Sequence, residues 1–152
     1  MKPTTREDSD RARPLRIPSH VLADIVAHAV AEAPRECCGL LVGAGDSIDE
    51  SVRTPNIEPG LTRFLVDPAA QVALMKRLRG TRREILGAYH SHPQSEPVPS
   101  PSDIAENFSN DFLCFIVSLL EPQRPITRAF RIRSGQAEEL EIVRMVATSS
   151  SG

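Results

Sequence analysis

The residues of this 152-residue chain best suited to chemistry are two histidines one residue apart and an aspartate that follows them. They lie in the segments His90-Ser91-His92-Pro93 and Ser100-Pro101-Ser102-Asp103. In an extended chain residues i and i+2 project to the same side, so His90 and His92 can aim both imidazoles at one point. Asp103 stands eleven residues beyond His92, across a loop carrying Pro97, Pro99 and Pro101. Those prolines reduce the conformations open to the loop, which lowers the cost of bringing the carboxylate to the histidines. Two imidazoles and one carboxylate suit Zn²⁺, and three protein ligands leave a fourth position for water, as in catalytic rather than closed structural sites. The second segment is equally an ordinary helix start, with Ser100 as N-cap, Pro101 in the first turn and Asp103 at N3. Each segment alone is a weak signal. Together, a histidine pair and a third ligand within reach favour a metal site.

The elements that must position these side chains follow from apolar spacing and punctuation. Residues 15–17 suit a short opening strand. Residues 18–33 read as an amphipathic helix, with Val21, Leu22, Ile25, Val26, Ala29 and Ala33 on one stripe and Pro34 ending it. Residues 36–43 form a short apolar run of small residues, a buried central strand. Strands are expected over 48–53 and 62–66, separated by Pro55, Pro59 and Gly60. Asp67-Pro68 opens a second helix that Gly80 closes, with Val72, Met75 and Leu78 as its buried face. A strand over 84–89 leads into the histidines, a short helix spans about 101–107, and strands over 113–119, 126–132 and 137–143 complete the domain. Helices on a mixed or mostly antiparallel sheet make the class α/β in its layered, α+β form. One domain is expected over residues 14–145, between disordered tails at 1–13 and 146–152.

Bulk composition excludes several function classes. A net charge of −2 carries no electrostatic footprint for nucleic acid. The longest apolar run, 112–120, is interrupted by Ser118 and far shorter than the ~20 residues of a membrane span. The polar N-terminal segment lacks the apolar core of a secretion signal. Three cysteines without CxxC spacing suit reduced, buried thiols in the cytoplasm. Adjacent strand residues point to opposite faces, so Cys37 and Cys38 cannot readily share one ion; both, with Cys114, are expected in the core. His20 and His28 are expected to be solvated. Lys76, Arg77, Arg79, Arg82 and Arg83 are expected to form a solvated basic face at a helix end.

The run His90-Ser91-His92-Pro93 with Ser100 and Asp103, preceded by Glu36 in Glu36-Cys37-Cys38-Gly39-Leu40, resembles the JAMM (MPN+, Mov34-type) metallopeptidases in their compact bacterial and archaeal form. The agreement covers His-x-His, ten residues, then Asp, with serine three before the aspartate. The resemblance implies an MPN/JAB1-like fold, a curved sheet flanked by helices and related in architecture to cytidine deaminases. It implies that His90, His92 and Asp103 bind one zinc ion, that Glu36 moves a proton from the attacking water to the leaving amine, and that Ser100 donates a hydrogen bond to the oxyanion.

The same resemblance implies cleavage after the C-terminal Gly-Gly of a ubiquitin-like partner, such as a bacterial sulfur-carrier protein, releasing cysteine or a short extension. A flexible tail of that kind suits a groove beside a sheet edge. A non-proteolytic MPN-type scaffold is the alternative, and would predict broken ligand positions. DNA-repair-associated relatives would read His-Asn-His-Pro-Ser-Gly, and a zinc deaminase would need a Pro-Cys-x-x-Cys pair; neither occurs. The oligomeric state is left open between monomer and homodimer.

Overall fold

The strand that carries both histidines lies in the middle of an eight-stranded mixed sheet of order β7-β6-β5-β4-β2-β3-β1-β8. The computed structural model describes residues 13–58, 64–105 and 112–146. The expected tails fall almost wholly outside these. In chain order the elements are β1 (Leu15–Pro18), α1 (Ser19–Glu32), β2 (Cys38–Ala44), β3 (Ser47–Thr54), α2 (Pro68–Leu78), β4 (Glu84–His92), α3 (Pro101–Ala105), β5 (Phe112–Ser118), β6 (Ile126–Arg133), β7 (Gln136–Leu140) and β8 (Ile142–Met145).

β4 pairs antiparallel with β2 and parallel with β5, so the histidine end is hydrogen-bonded on both sides: His90 lies beside Cys38 and Ile116, and His92 beside Ser118. The close approach of β2 to β4 depends on Gly39. A Cβ there would stand 2.2 Å from the Tyr89 ring.

Alternation sorts β4 into two faces. Tyr89 packs with Val21, Ile25 and Ala29 of α1 and with Leu41, Phe115 and Val117. Ala88 packs on the other side with Leu40, Val42 and with Leu74 and Leu78 of α2. α3 joins that second side through Ile104, beside Cys114, Ile116, Phe130 and Ile132.

Several expectations meet corrections. The strand expected over 137–143 is two strands: β7 pairs with β6 while β8 pairs with β1, and the chain between them joins the two ends of the strand order. A sheet joined end to end must be curled, and strand periodicity carries no sign of where a strand changes partner. The strand expected over 62–66 falls partly on 59–63, outside the described residues; Val66 makes only an isolated bridge to Asn56. The last residues of the helix expected over 101–107 also lie outside them. In α2 the buried residues are Leu74 and Leu78, while Val72 and Met75 are about half exposed. This helix is apolar over a wide arc, and periodicity could not choose between two stripes.

The α2 start matches expectation, Asp67 accepting from the Ala69 amide at 2.9 Å. The basic residues beyond it meet β3: Arg77 pairs with Glu50, and Arg83 with Asp49 and Glu50.

Candidate metal centre

His90 and His92 project from the C-terminal end of β4, buried to 1% and 7% exposure. Their Nε2 atoms lie 3.1 Å apart. Asp103, in the first turn of α3, places Oδ2 3.1 Å from the His90 Nε2 and 3.3 Å from the His92 Nε2. Tetrahedral ligands at the ~2.0–2.1 Å of zinc–nitrogen bonds would be separated by about 3.3 Å, so this triangle matches one face of such a site. The His92 Nδ1–H donates to the Glu96 carbonyl at 2.7 Å, which leaves the Nε2 lone pair for a metal. Two imidazole nitrogens and a carboxylate oxygen converging on one point are the ligand types that zinc takes. The donor set therefore fits a metal ion.

Glu36 approaches from the turn between α1 and β2. It is buried, and one of its carboxylate oxygens stands within 4.8 Å of ring nitrogens of His90 and His92, a grouping that could hold a metal ion. The alternation that continues β2 backwards puts Glu36 on the histidine face and Cys37 in the core. Asn56 donates from Nδ2 to the Glu36 carbonyl at 2.9 Å.

Ser100 caps α3 in the manner of the ordinary helix start. Its Oγ accepts from the Asp103 amide at 3.1 Å, and Asp103 Oδ2 accepts from the Ser100 amide at 2.8 Å, a reciprocal box that also orients the carboxylate. A hydroxyl has one proton to donate and two lone pairs, so capping as an acceptor does not use the proton; the Ser102 Oγ lies 3.0 Å away and can donate to Ser100 or accept from it. Sequence reasoning posed cap and site as alternatives; the geometry makes them compatible.

The electrostatics follow from this crowding. Burial opposes charge on Asp103, but the His90 and His92 imidazoles outweigh it and hold its carboxyl far below the usual carboxylate range. Burial likewise opposes a charged His92, and the Asp103 hydrogen bond, reinforced by the Glu96 carbonyl, pushes its pKa up. The three cysteines are free and buried, as expected. Burial pushes the thiols of Cys37 and Cys114 up to about 11 and about 12, which makes them inert at neutral pH.

Sequence reasoning missed one residue at the site and misread another on the opposite face of β4. Phe64 stacks on the His90 ring, with centroids 4.1 Å apart and planes at 16°. Nothing in the local sequence marks it. His28 is not solvated: it is 6% exposed and its Nδ1 lies 2.8 Å from the Tyr89 hydroxyl. Its place at i+7 from Val21 and i+3 from Ile25, on the buried stripe of α1, was a usable signal. His20 is exposed as expected.

The family described as prokaryotic homologs of the JAB domain matches residues 18–133. The chain belongs to that family. Among relatives, a probable TtuB-protein conjugate cleaving protease of Thermus thermophilus is 38% identical over 93 residues, 60% of this chain and 62% of its own length, so the match leaves over a third of that relative uncovered. A CysO-cysteine peptidase of Mycobacterium tuberculosis is 29% identical over 117 residues, 76% of this chain and 80% of its own length. Among solved structures, protein DSY2949 of Desulfitobacterium hafniense superposes with a TM-score of 0.80 at 29% identity, covering 90% of this chain and 97% of that one. A structure titled as a JAMM metalloprotease-like zinc site in the proteasome and signalosome shares the fold, with a TM-score of 0.53 at 24% identity over 86% of this chain and 98% of that one. The MPN/JAB1-like architecture expected from the sequence is the one observed. Among the described residues no helix is long and apolar enough to cross a membrane.

Proposed function

We propose that this JAB domain is a zinc-dependent peptidase that cleaves after the C-terminal Gly-Gly of a ubiquitin-like carrier protein. The observation that carries the reading is the triangle of His90 Nε2, His92 Nε2 and Asp103 Oδ2, at 3.1–3.3 Å, with the buried Glu36 carboxylate beside it. When bound there, zinc supplies a Lewis acid and lowers the pKa of a coordinated water to about 7.

The remaining steps belong to the chain. His90, His92 and Asp103 hold the metal, the last two oriented by the Glu96 carbonyl and the Ser100 amide. Glu36 accepts the proton of the attacking water and delivers it to the leaving amine, a role worth ~10²–10⁴-fold. Ser100 donates a hydrogen bond from its hydroxyl to the carbonyl oxygen as negative charge develops on it. Ser91 and Tyr89 lie on the opposite face and contact no reacting atom.

The substrate class is supported by relatives whose names specify a TtuB-protein conjugate and a CysO-cysteine bond. For this chain the leaving group would be cysteine, a short C-terminal extension or a conjugated amine. The buried, reduced thiols suit the reducing cytoplasm. The test is incubation of the zinc-loaded protein with carriers ending Gly-Gly-Cys, read by intact mass. Loss of one cysteine residue, blocked by a chelator and restored by zinc, is expected. Full zinc occupancy with no cleavage of any Gly-Gly carrier or conjugate would favour a binding module instead.

A further inference from the structure

Glu36 lies outside any strand, two residues before β2 begins, so regular ladder pairing does not fix it. What holds the neighbouring backbone is a serine between the two histidines. The Cys37 amide donates to Ser91 Oγ at 2.8 Å, and the Ser91 amide donates to the Cys37 carbonyl at 3.2 Å. The second is an ordinary backbone bond. The first puts a side chain where a strand pair would supply a carbonyl, and it extends the β2–β4 pairing one residue beyond Cys38 and His90. Both residues are buried, Cys37 at 1% and Ser91 at 0% exposure, so no water substitutes for the hydroxyl.

We propose that Ser91 is a positioning residue for Glu36: its hydroxyl fixes the Cys37 amide and thereby holds the Glu36 carboxylate against the His90–His92 pair. The inference rests on the reading of Glu36 as the base. Alternation along β4 forces the arrangement. With His90 and His92 on the metal side, residue 91 turns to the opposite side, where Cys37 packs, and its hydroxyl reaches the Cys37 amide at 2.8 Å. One strand thus supplies two metal ligands and the anchor for the proton carrier, which keeps the three in register. Asn56 grips the same short segment through the Glu36 carbonyl, so loss of Ser91 displaces the carboxylate without releasing it. Misplacement of a catalytic group by ~1 Å can cost about 10²-fold in rate.

The experiment is a double-mutant cycle on Ser91→Ala and Glu36→Gln, with Ser91→Thr as the variant that keeps the hydroxyl. The probe is a ubiquitin-like carrier ending Gly-Gly-Cys. Readouts are kcat and KM, bound metal by elemental analysis, and hydrogen exchange of the Cys37 amide. Ser91→Ala is expected to lower kcat by about 10–10²-fold with KM within about twofold, to keep its metal, and to lose protection at the Cys37 amide. In the Glu36→Gln background the same change should cost less than about twofold, because the group it positions no longer moves a proton. Equal losses in both backgrounds would overturn the proposal. So would an unchanged Cys37 amide in Ser91→Ala, or a Ser91→Thr protein that regains amide protection without regaining kcat. Wild-type rates in Glu36→Gln would sink the base reading instead. If the wild type leaves the probe intact, the proposed function fails, and amide exchange alone decides whether Ser91 holds the segment.

Discussion

The two faces of β4 are buried alike, yet they treat their polar groups in opposite ways. On one face Tyr89 and Ser91 meet complementary partners: the tyrosine hydroxyl meets His28 Nδ1, and the serine hydroxyl meets the Cys37 amide. Each contact joins a donor to an acceptor, as buried polar groups require. On the other face the Nε2 atoms of His90 and His92 lie 3.1 Å apart and 3.1 and 3.3 Å from one carboxylate oxygen, three potential ligand atoms converging on one point. Burial alone therefore does not mark function in this strand. What separates the faces is whether the buried polar atoms meet in separate pairs or gather several ligand types at one point.

The largest expected effect lies on the converging face. His92→Ala or Asp103→Ala leaves two protein ligands, too few to hold zinc against competition. Elemental analysis should fall from about one zinc per chain to near none, and peptidase activity should vanish. Retention of zinc by Asp103→Ala would mean that Glu36 is the third ligand. Next comes Glu36→Gln, which keeps size and hydrogen bonding but cannot take the proton; activity should fall ~10²–10⁴-fold with zinc retained. That variant should hold an uncleaved carrier, visible as co-elution. Zinc lost together with activity would exchange the roles of Glu36 and Asp103, and activity near wild type would make Glu36 a bystander.

The converging face was also the legible one. His90 and His92 declare themselves because a strand of period two makes i and i+2 neighbours in space, and Asp103 because a proline-rich connection limits where it can go. Glu36 was put forward only through the resemblance to JAMM peptidases, since nothing local distinguishes a glutamate before an apolar strand. The complementary face was less legible, because its partners are remote in sequence: Tyr89 and His28 are 61 positions apart, and Ser91 and Cys37 are 54 apart. His28 shows how a polar residue on an apolar stripe is misread when its partner is unknown. The strand change at Glu141 was invisible for a similar reason, since partner identity is a property of the closed sheet and not of the strand.

Ser100 tests whether one residue can serve both purposes. If its hydroxyl both caps α3 and donates to the developing oxyanion, Ser100→Ala should lower kcat ~10²-fold with KM little changed. It should also cost ~1 kcal/mol of stability through the lost cap. A stability loss with kcat intact would confine Ser100 to the cap. On the complementary face, Tyr89→Phe removes a hydroxyl and leaves the His28 nitrogen buried without it, which should cost ~1–3 kcal/mol in denaturant unfolding. Zinc content and kcat should stay at wild-type values. A loss of zinc would show that the two faces are not independent.

The smallest effect expected is a change in how stability depends on pH. Burial lowers the His28 pKa below its usual 6.5, and the nearby Arg53 charge adds to this, while Glu32 and Asp24 oppose it. The unfolded chain then binds a proton at His28 more readily than the folded chain does. Stability therefore rises with pH across that range and is lost as pH falls below about 6.5. Histidines that take a metal would also change their protonation on binding it, so the wild-type slope alone mixes several groups. His28→Gln keeps a polar side chain at the position but cannot titrate. Its unfolding free energy, compared with the wild type at about pH 7.5 and about pH 5.5, should show a smaller loss on acidification even if it is less stable at both. Equal losses in the two proteins would mean that His28 binds its proton as readily when folded as when unfolded. The Tyr89–His28 contact would then tolerate a charge, and the contrast between the two faces of β4 would be weaker than the neutral pairing implies.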